Sequence, residues 1–270
     1  MEAIMDPVVW LLLVIVAGRG GIGKSLLANL LTTTFLSADR PPLLVQADIQ
    51  HRLDALYPDI TTTINIGQID QEDPLALARA FAEIPRVMRV GAASGRDQVI
   101  DTAATWHVPI IRYCAEIGLA EQVAALHGKM AFLLPTTADS DSLLLAIEAA
   151  QTIEALVPAA SIVFVRNSYP TKVSFDVSDV TNRFGKAEVQ RLLNEHRQMV
   201  MPAISPGIWG IFERANLSPT AVITADPAEL MSVAAADVDT VRIMQRRVEK
   251  WVNLFIEQAK QIEALRNVQE

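Results

Sequence analysis

The stretch Gly18-Arg19-Gly20-Gly21-Ile22-Gly23-Lys24-Ser25 satisfies the pattern GxxxxGK[ST]. Glycines at this density let a backbone wrap closely around a phosphate chain and turn successive N–H groups inward. The partial positive charge of a following helix N-terminus favours anions at the same place. Gly20, Gly21, Ile22, Gly23, Lys24, Ser25 and Leu26 are therefore the expected cofactor-binding segment. Lys24 is placed to bridge β- and γ-phosphate oxygens, and the Ser25 hydroxyl to ligate Mg²⁺. Asp48 ends the apolar run that begins at Leu43. An acid at the C-terminal end of a sheet strand faces the crevice in which α/β proteins bind ligands.

Such a loop works only between a strand that anchors it and a helix that aims at the phosphates, and the sequence supplies both in order. The apolar run Val8 to Ala17 resembles a signal peptide at first sight, but Glu2 and Asp6 precede it without a Lys or Arg. It is also about half the roughly 20 residues that a membrane span requires. It reads instead as a strand buried on both faces, the kind found in parallel sheets covered by helices. The run from Leu26 to Leu31 opens the helix. Further along, strands are expected over Met130–Pro135, Ser161–Val165 and Met199–Ile204, and helices over Asp141–Leu156 and Lys186–Gln198. This alternation predicts an α/β, three-layer fold with a mostly parallel sheet and helices on both faces. The expected organisation is a single domain over residues 1–270 with an insertion at about 52–90 and a long C-terminal helix at about 239–268. Within the insertion, Thr61 to Ile69 reads as an extra strand and Pro74 to Phe81 as the start of a helix. Residues 168–185 read as a surface excursion.

Arg19-Gly20-Gly21-Ile22-Gly23-Lys24-Ser25 resembles the deviant Walker A motif, KGGxGK[ST], of the ParA/MinD superfamily of ATPases, with Arg19 at the place of the signature lysine. The resemblance implies ATP and Mg²⁺ as cofactors. It also implies an ATP-sandwich homodimer in which Arg19 reaches the nucleotide of the partner. Leu43 to Gln50 is similar to the family strand ending DxDxQ, with Asp48 and Gln50 matching and Gln46 in place of the first acid. The match gives Asp48 the role of positioning the attacking water. Asp97 to Ala104 resembles the Walker B strand and the start of switch II, which makes Asp101 the Mg²⁺ carboxylate together with Ser25; a hard cation prefers such oxygen and keeps part of its hydration. The usual proline after that acid-Thr pair is absent. Asn167 matches an asparagine that contacts the adenine base, and Pro206 lies in a loop that flanks the nucleotide. The implied protein is a slow, partner-stimulated ATPase that serves DNA or plasmid partition, positioning or conjugative transfer.

Composition limits the alternatives. Of the 270 residues, 51% are hydrophobic, 20% charged and 6% aromatic, which excludes disordered, collagenous and disulfide-scaffold classes. A net charge of −8 argues against coating nucleic acid through a global positive field and leaves only local contact. The single cysteine, Cys114, fits a reducing cytoplasm, and His51, His107, His127 and His196 have no metal-ligand spacing. No Ser/His/Asp or paired-carboxylate arrangement is legible, and the early strand leaves no room for an N-terminal helix-turn-helix. The C-terminal helix carries Val241, Met244, Val248, Trp251, Phe255, Ile262 and Leu265 on one stripe. Three readings compete for it: packing on the domain or on a second subunit, DNA contact through Arg242, Arg246, Arg247 and Lys250, or membrane attachment, which its acids Glu249, Glu257, Glu263 and Glu270 disfavour. Besides the switch ATPase, two other classes stay open: a metabolic kinase or ligase with the same loop, and a nucleotide-binding scaffold that does not hydrolyse. The absence of a guanine-specificity motif favours ATP over GTP.

Overall fold

The computed structural model describes residues 9–48, 51–66, 69, 73–169 and 178–267. The apolar run ahead of the glycines forms β1 (Trp10–Ile15), every residue of which is buried. It is followed by α1 (Lys24–Ser37), β2 (Leu43–Ala47), α2 (Arg52–Leu56), a 3-10 turn at Pro58–Ile60 and β3 (Thr61–Thr63). Next come α3 (Pro74–Ala80), α4 (Glu83–Ser94), β4 (Gln98–Thr102), a 3-10 turn at Ala104–Trp106, α5 (His107–Glu116) and α6 (Leu119–Ala125). The second half runs β5 (Gly128–Thr136), α7 (Ser140–Leu156), β6 (Ser161–Asn167), α8 (Ser178–Phe184), α9 (Lys186–Glu195) and β7 (Arg197–Met201). It ends with α10 (Pro206–Arg214), α11 (Pro219–Thr224), α12 (Pro227–Ala234), α13 (Val238–Glu263) and a 3-10 turn at Ala264–Asn267.

The seven strands lie in the order β3-β2-β4-β1-β5-β6-β7, and every pairing among them is parallel, where the sequence predicts a mostly parallel sheet. β1 sits at the centre, between β4 and β5. Its side chains alternate between two cores. Trp10, Leu12 and Val14 face a layer built from α4 to α9, while Leu11, Leu13 and Ile15 face α1 and α10 to α13. A strand covered on both sides has no polar face, which is why its sequence is an unbroken apolar run.

Some boundaries differ from expectation for identifiable reasons. The late strand is Arg197–Met201 rather than 199–204, because it pairs with β6 from Val163 opposite Arg197 to Asn167 opposite Met201, and Pro202 then offers no N–H to continue a ladder. The preceding helix stops at Glu195, since His196 is already extended. The extra strand of the insertion is confined to Thr61–Thr63 at the edge of the sheet, beside β2. The expected surface excursion contains α8, whose Val180 is buried in the core. Its residues 170–177 lie outside the described residues.

The helix expected over 239–268 corresponds to α13 and its closing turn, with residue 268 outside the described residues. Val241, Met244, Val248, Trp251, Phe255, Ile262 and Leu265 are all buried in the core shared with α1, so the apolar stripe packs on its own chain. Arg242, Arg246, Arg247 and Lys250 lie on its exposed face. Among the described residues no helix is long and apolar enough to cross a membrane. At the foot of the sheet the buried Asp97 accepts the Leu11 N–H at 2.9 Å and pairs with Arg40 and Arg266. The start of β1, the start of β4 and the last turn of the chain are thereby held on one carboxylate.

Candidate nucleotide-binding site

The site is assembled at the C-terminal end of the central strands. After β1 the glycine loop turns back on itself with φ of 74° at Gly21 and 95° at Gly23. At Gly23 a Cβ would come within 2.8 Å of Asn167 Nδ2 and of the Met201 methyl, so those side chains would have to shift, and the positive φ strains any other residue there. The crowding comes from a brace. Asn167, at the end of β6, donates from Nδ2 to the Ile22 carbonyl at 3.0 Å and accepts the Tyr169 N–H at 3.0 Å. α1 starts directly at Lys24, with no side chain capping its first turn and no acid there, so its orphan N–H groups face the loop.

Above this floor lies a cavity of about 600 Å³. Gly20, Gly21, Gly23, Lys24, Ser25 and Leu26 line its base, and Asp48 and Arg52 stand on one wall. Asn167, Tyr169, Pro202, Ile204, Pro206 and Trp209 contribute to the remainder. The structure thus brings together Gly20, Gly21, Gly23, Lys24, Ser25, Leu26, Asp48, Asn167 and Pro206, all singled out from sequence. Ile22, Arg19 and Asp101 do not line the cavity; Asp101 is buried beneath it, on β4. Ile22 is buried and takes part through its carbonyl. Arg19 is turned toward the N-terminus of α7, where it pairs with Asp139 at 2.6 Å and Asp141 at 3.5 Å.

Lys24 is largely buried and donates from Nζ to the Arg19 carbonyl at 3.2 Å, curling over its own loop. Burial lowers its pKa, and the charges of Asp101 and Asp48 act the other way. Asp101, on β4, is wholly buried, and its Oδ1 has no hydrogen-bond partner. Burial pushes its carboxyl up to about 6, against the neighbouring Ser25 hydroxyl and the charges of Lys24 and Arg52. A buried carboxylate oxygen left unpaired beside a serine hydroxyl is a donor set that suits a hard, oxygen-seeking cation, and Mg²⁺ fits Ser25 and Asp101 on these grounds. Among the described residues no group of three or more His, Cys, Asp or Glu could hold a metal. A cation here would therefore complete its shell with water and phosphate oxygen.

Two residues of this region have roles that the sequence reading did not assign. Gln46, which replaces the first acid of the resembled motif, is buried on β2, and its Oε1 accepts the N–H groups of Leu53 at 2.7 Å and Asp54 at 3.1 Å. It clamps the N-terminus of α2. Arg52, the first residue of α2, reaches the cavity wall, and only its position four residues after Asp48 hints at this. Gln50 lies outside the described residues.

No family model matches the chain, and no curated protein matches it. Solved structures do. The septum site-determining protein MinD of Pyrococcus horikoshii OT3, complexed with Mg-ADP, aligns over 94% of this chain and 98% of its own with 15% identity and a TM-score of 0.51. The MinC:MinD cell division complex of Aquifex aeolicus matches over 86% and 95% at 15% identity, with a TM-score of 0.46. A Cyanothece McdA–ATP complex matches over 93% and 97% at 15% identity, with a TM-score of 0.41. With seven parallel strands between two helical layers, the chain has the α/β fold of MinD-like P-loop NTPases.

Proposed function

We propose that the protein is a Mg²⁺-dependent ATPase of the ParA/MinD kind, working in the cytoplasm as a nucleotide-switched homodimer in DNA or plasmid partition, positioning or conjugative transfer. The observation that carries this reading is Asp101: a buried carboxylate with one unpaired oxygen, which feels the Ser25 hydroxyl and the Lys24 charge at the uncapped start of α1. Ser25 and Asp101 would hold Mg²⁺, which neutralises charge on the phosphates. The N–H groups of Gly20 to Leu26 cradle the phosphates, and Lys24 uncurls from the Arg19 carbonyl to bridge them. Asp48 orients the attacking water. Asn167 and Pro206 flank the base. Arg19 leaves Asp139 and Asp141 to act on the nucleotide of the partner subunit. The two nucleotide states differ by one phosphate, so the protein times an interaction rather than making a metabolite. A protein component of a partition or relaxosome assembly is the expected partner, with local DNA contact at Arg242, Arg246, Arg247 and Lys250.

The test combines phosphate release with size analysis, using ATP alone and with DNA or liposomes. ATP is expected to convert the wild-type chain to a dimer. Lys24→Ala is expected to lose nucleotide binding. Asp48→Ala is expected to bind ATP while releasing phosphate at least about tenfold more slowly. An unchanged oligomeric state together with no nucleotide binding would overturn the reading. The ion pairs that hold Arg19 favour a second one, a nucleotide-binding scaffold. Tight ATP binding with no phosphate release, even with DNA or liposomes present, would decide for it.

A further inference from the structure

We propose that Arg52 is a second phosphate-binding cation of this site, acting within its own subunit on the γ-phosphate, and that Glu213 holds it until a triphosphate arrives. The inference rests on the nucleotide reading above. A magnesium triphosphate keeps a net negative charge that Lys24 alone does not neutralise, so a second cation is needed in reach. Arg19 does not line the cavity in this conformation. Among the described residues, the cations that line it are Lys24 and Arg52.

The geometry around Arg52 suits the role. It is the first residue of α2, and the two hydrogen bonds from Leu53 and Asp54 to the buried Gln46 fix the backbone next to it. Its guanidinium meets Glu213 of α10 at 3.4 Å, with the two side chains 53% and 44% exposed. An exposed pair at that length contributes little and is easily exchanged for a doubly charged phosphate oxygen cluster, which a planar guanidinium grips with two parallel N–H groups. Arg52 and Glu213 both border the main cavity and a neighbouring space of about 250 Å³ between α1, α2 and α10. Exchange of partners would therefore change how α2 and α10 meet when the triphosphate is present and when it is not.

The experiment measures binding of a non-hydrolysable ATP analogue and of ADP, each with Mg²⁺, by calorimetry. It compares the wild-type chain, Arg52→Gln, Arg52→Lys, Glu213→Gln and Lys24→Ala, with thermal melting to verify folding. Loss of a charge-assisted contact weakens the triphosphate about ten- to hundredfold in Arg52→Gln while ADP changes less than about threefold. Arg52→Lys recovers part of the loss. Glu213→Gln frees Arg52 and tightens the triphosphate about two- to fivefold. An unchanged triphosphate-to-ADP ratio in Arg52→Gln, with Lys24→Ala abolishing both, overturns the role of Arg52 and leaves the nucleotide reading standing. Weaker or unchanged triphosphate binding in Glu213→Gln overturns the exchange. A wild-type chain that binds neither nucleotide overturns both readings.

Discussion

A carboxylate taken out of water loses its hydration, and Asp101 does so with one oxygen lacking any hydrogen-bond partner. Its pKa rises from 3.8 to about 6, so between these values the folded chain binds a proton more tightly than the unfolded chain. Raising the pH through that window therefore destabilises the fold; the cost is complete above about 6 and absent below about 4. Asp101→Asn is expected to stabilise the nucleotide-free chain at pH 7 by up to about 3 kcal/mol, with the gain vanishing toward pH 4, as read from denaturant melts across that range. If the proposed function holds, the same substitution is expected to remove the Mg²⁺-dependent part of nucleotide affinity. Gly23 shows the opposite constraint. Its φ of 95° and the atoms at 2.8 Å from its missing Cβ predict that Gly23→Ala strains the loop against Asn167 and Met201. The expected result is a loss of about 1–3 kcal/mol in thermal unfolding and of nucleotide binding by titration.

At the scale of elements, the short helix α2 depends on a strand residue. Gln46→Ala leaves the N–H groups of Leu53 and Asp54 without their buried acceptor, which is expected to cost about 1–3 kcal/mol and to raise hydrogen exchange at those two amides first. Asp139 serves α7 in two ways: it caps the helix through the Asp141 N–H at 2.9 Å and pairs with Arg19. Asparagine keeps the cap and removes the charge. Asp139→Asn is therefore expected to leave the melting temperature nearly unchanged while lowering the ATP concentration at which light scattering detects the proposed dimer. No shift in that concentration would show that the pair does not restrain Arg19.

Across the whole molecule, α13 joins the end of the chain to both ends of the sheet. At the nucleotide end, Trp251 is buried, lies 5.3 Å from Trp209 between ring centroids and donates from Nε1 to the Pro202 carbonyl at 2.7 Å. Pro202 and Trp209 both line the cavity. Trp251→Ala is expected to cost about 3–5 kcal/mol and to weaken nucleotide binding beyond what unfolding explains, measured by melting and by titration on the folded fraction. At the other end, Arg266 ties the last turn to Asp97. On a chain of net charge −8, the exposed Arg246, Arg247 and Lys250 form a local positive surface on this helix. If DNA is retained there in the presence of ATP, reversing the charge at Arg246 and Arg247 abolishes retention at low salt; unchanged retention would place the contact elsewhere.

The sequence by itself determined the features that depend on near neighbours. Burial on two faces needs no polar alternation, so β1 was legible as a strand from its run of apolar residues, and the glycine loop with Lys24 and Ser25 was legible from spacing alone. The stripe from Val241 to Leu265 likewise declared an amphipathic helix, because periodicity records that one side differs from the other, and the structure shows that side packed on its own chain. Only the tertiary structure decided what Gln46, Arg52, Asp97 and Arg19 touch. Gln46 reads as a polar strand residue until α2 folds back over it, and Asp97 reads only as the residue that leads into a strand until Leu11, Arg40 and Arg266 converge on it. Arg19 belongs to the phosphate loop by sequence, yet its charge is satisfied by Asp139, more than a hundred positions away. Such pairings depend on the order and register of the sheet, which brings the ends of β1, β2, β4, β5 and β6 together, and no local pattern records that convergence.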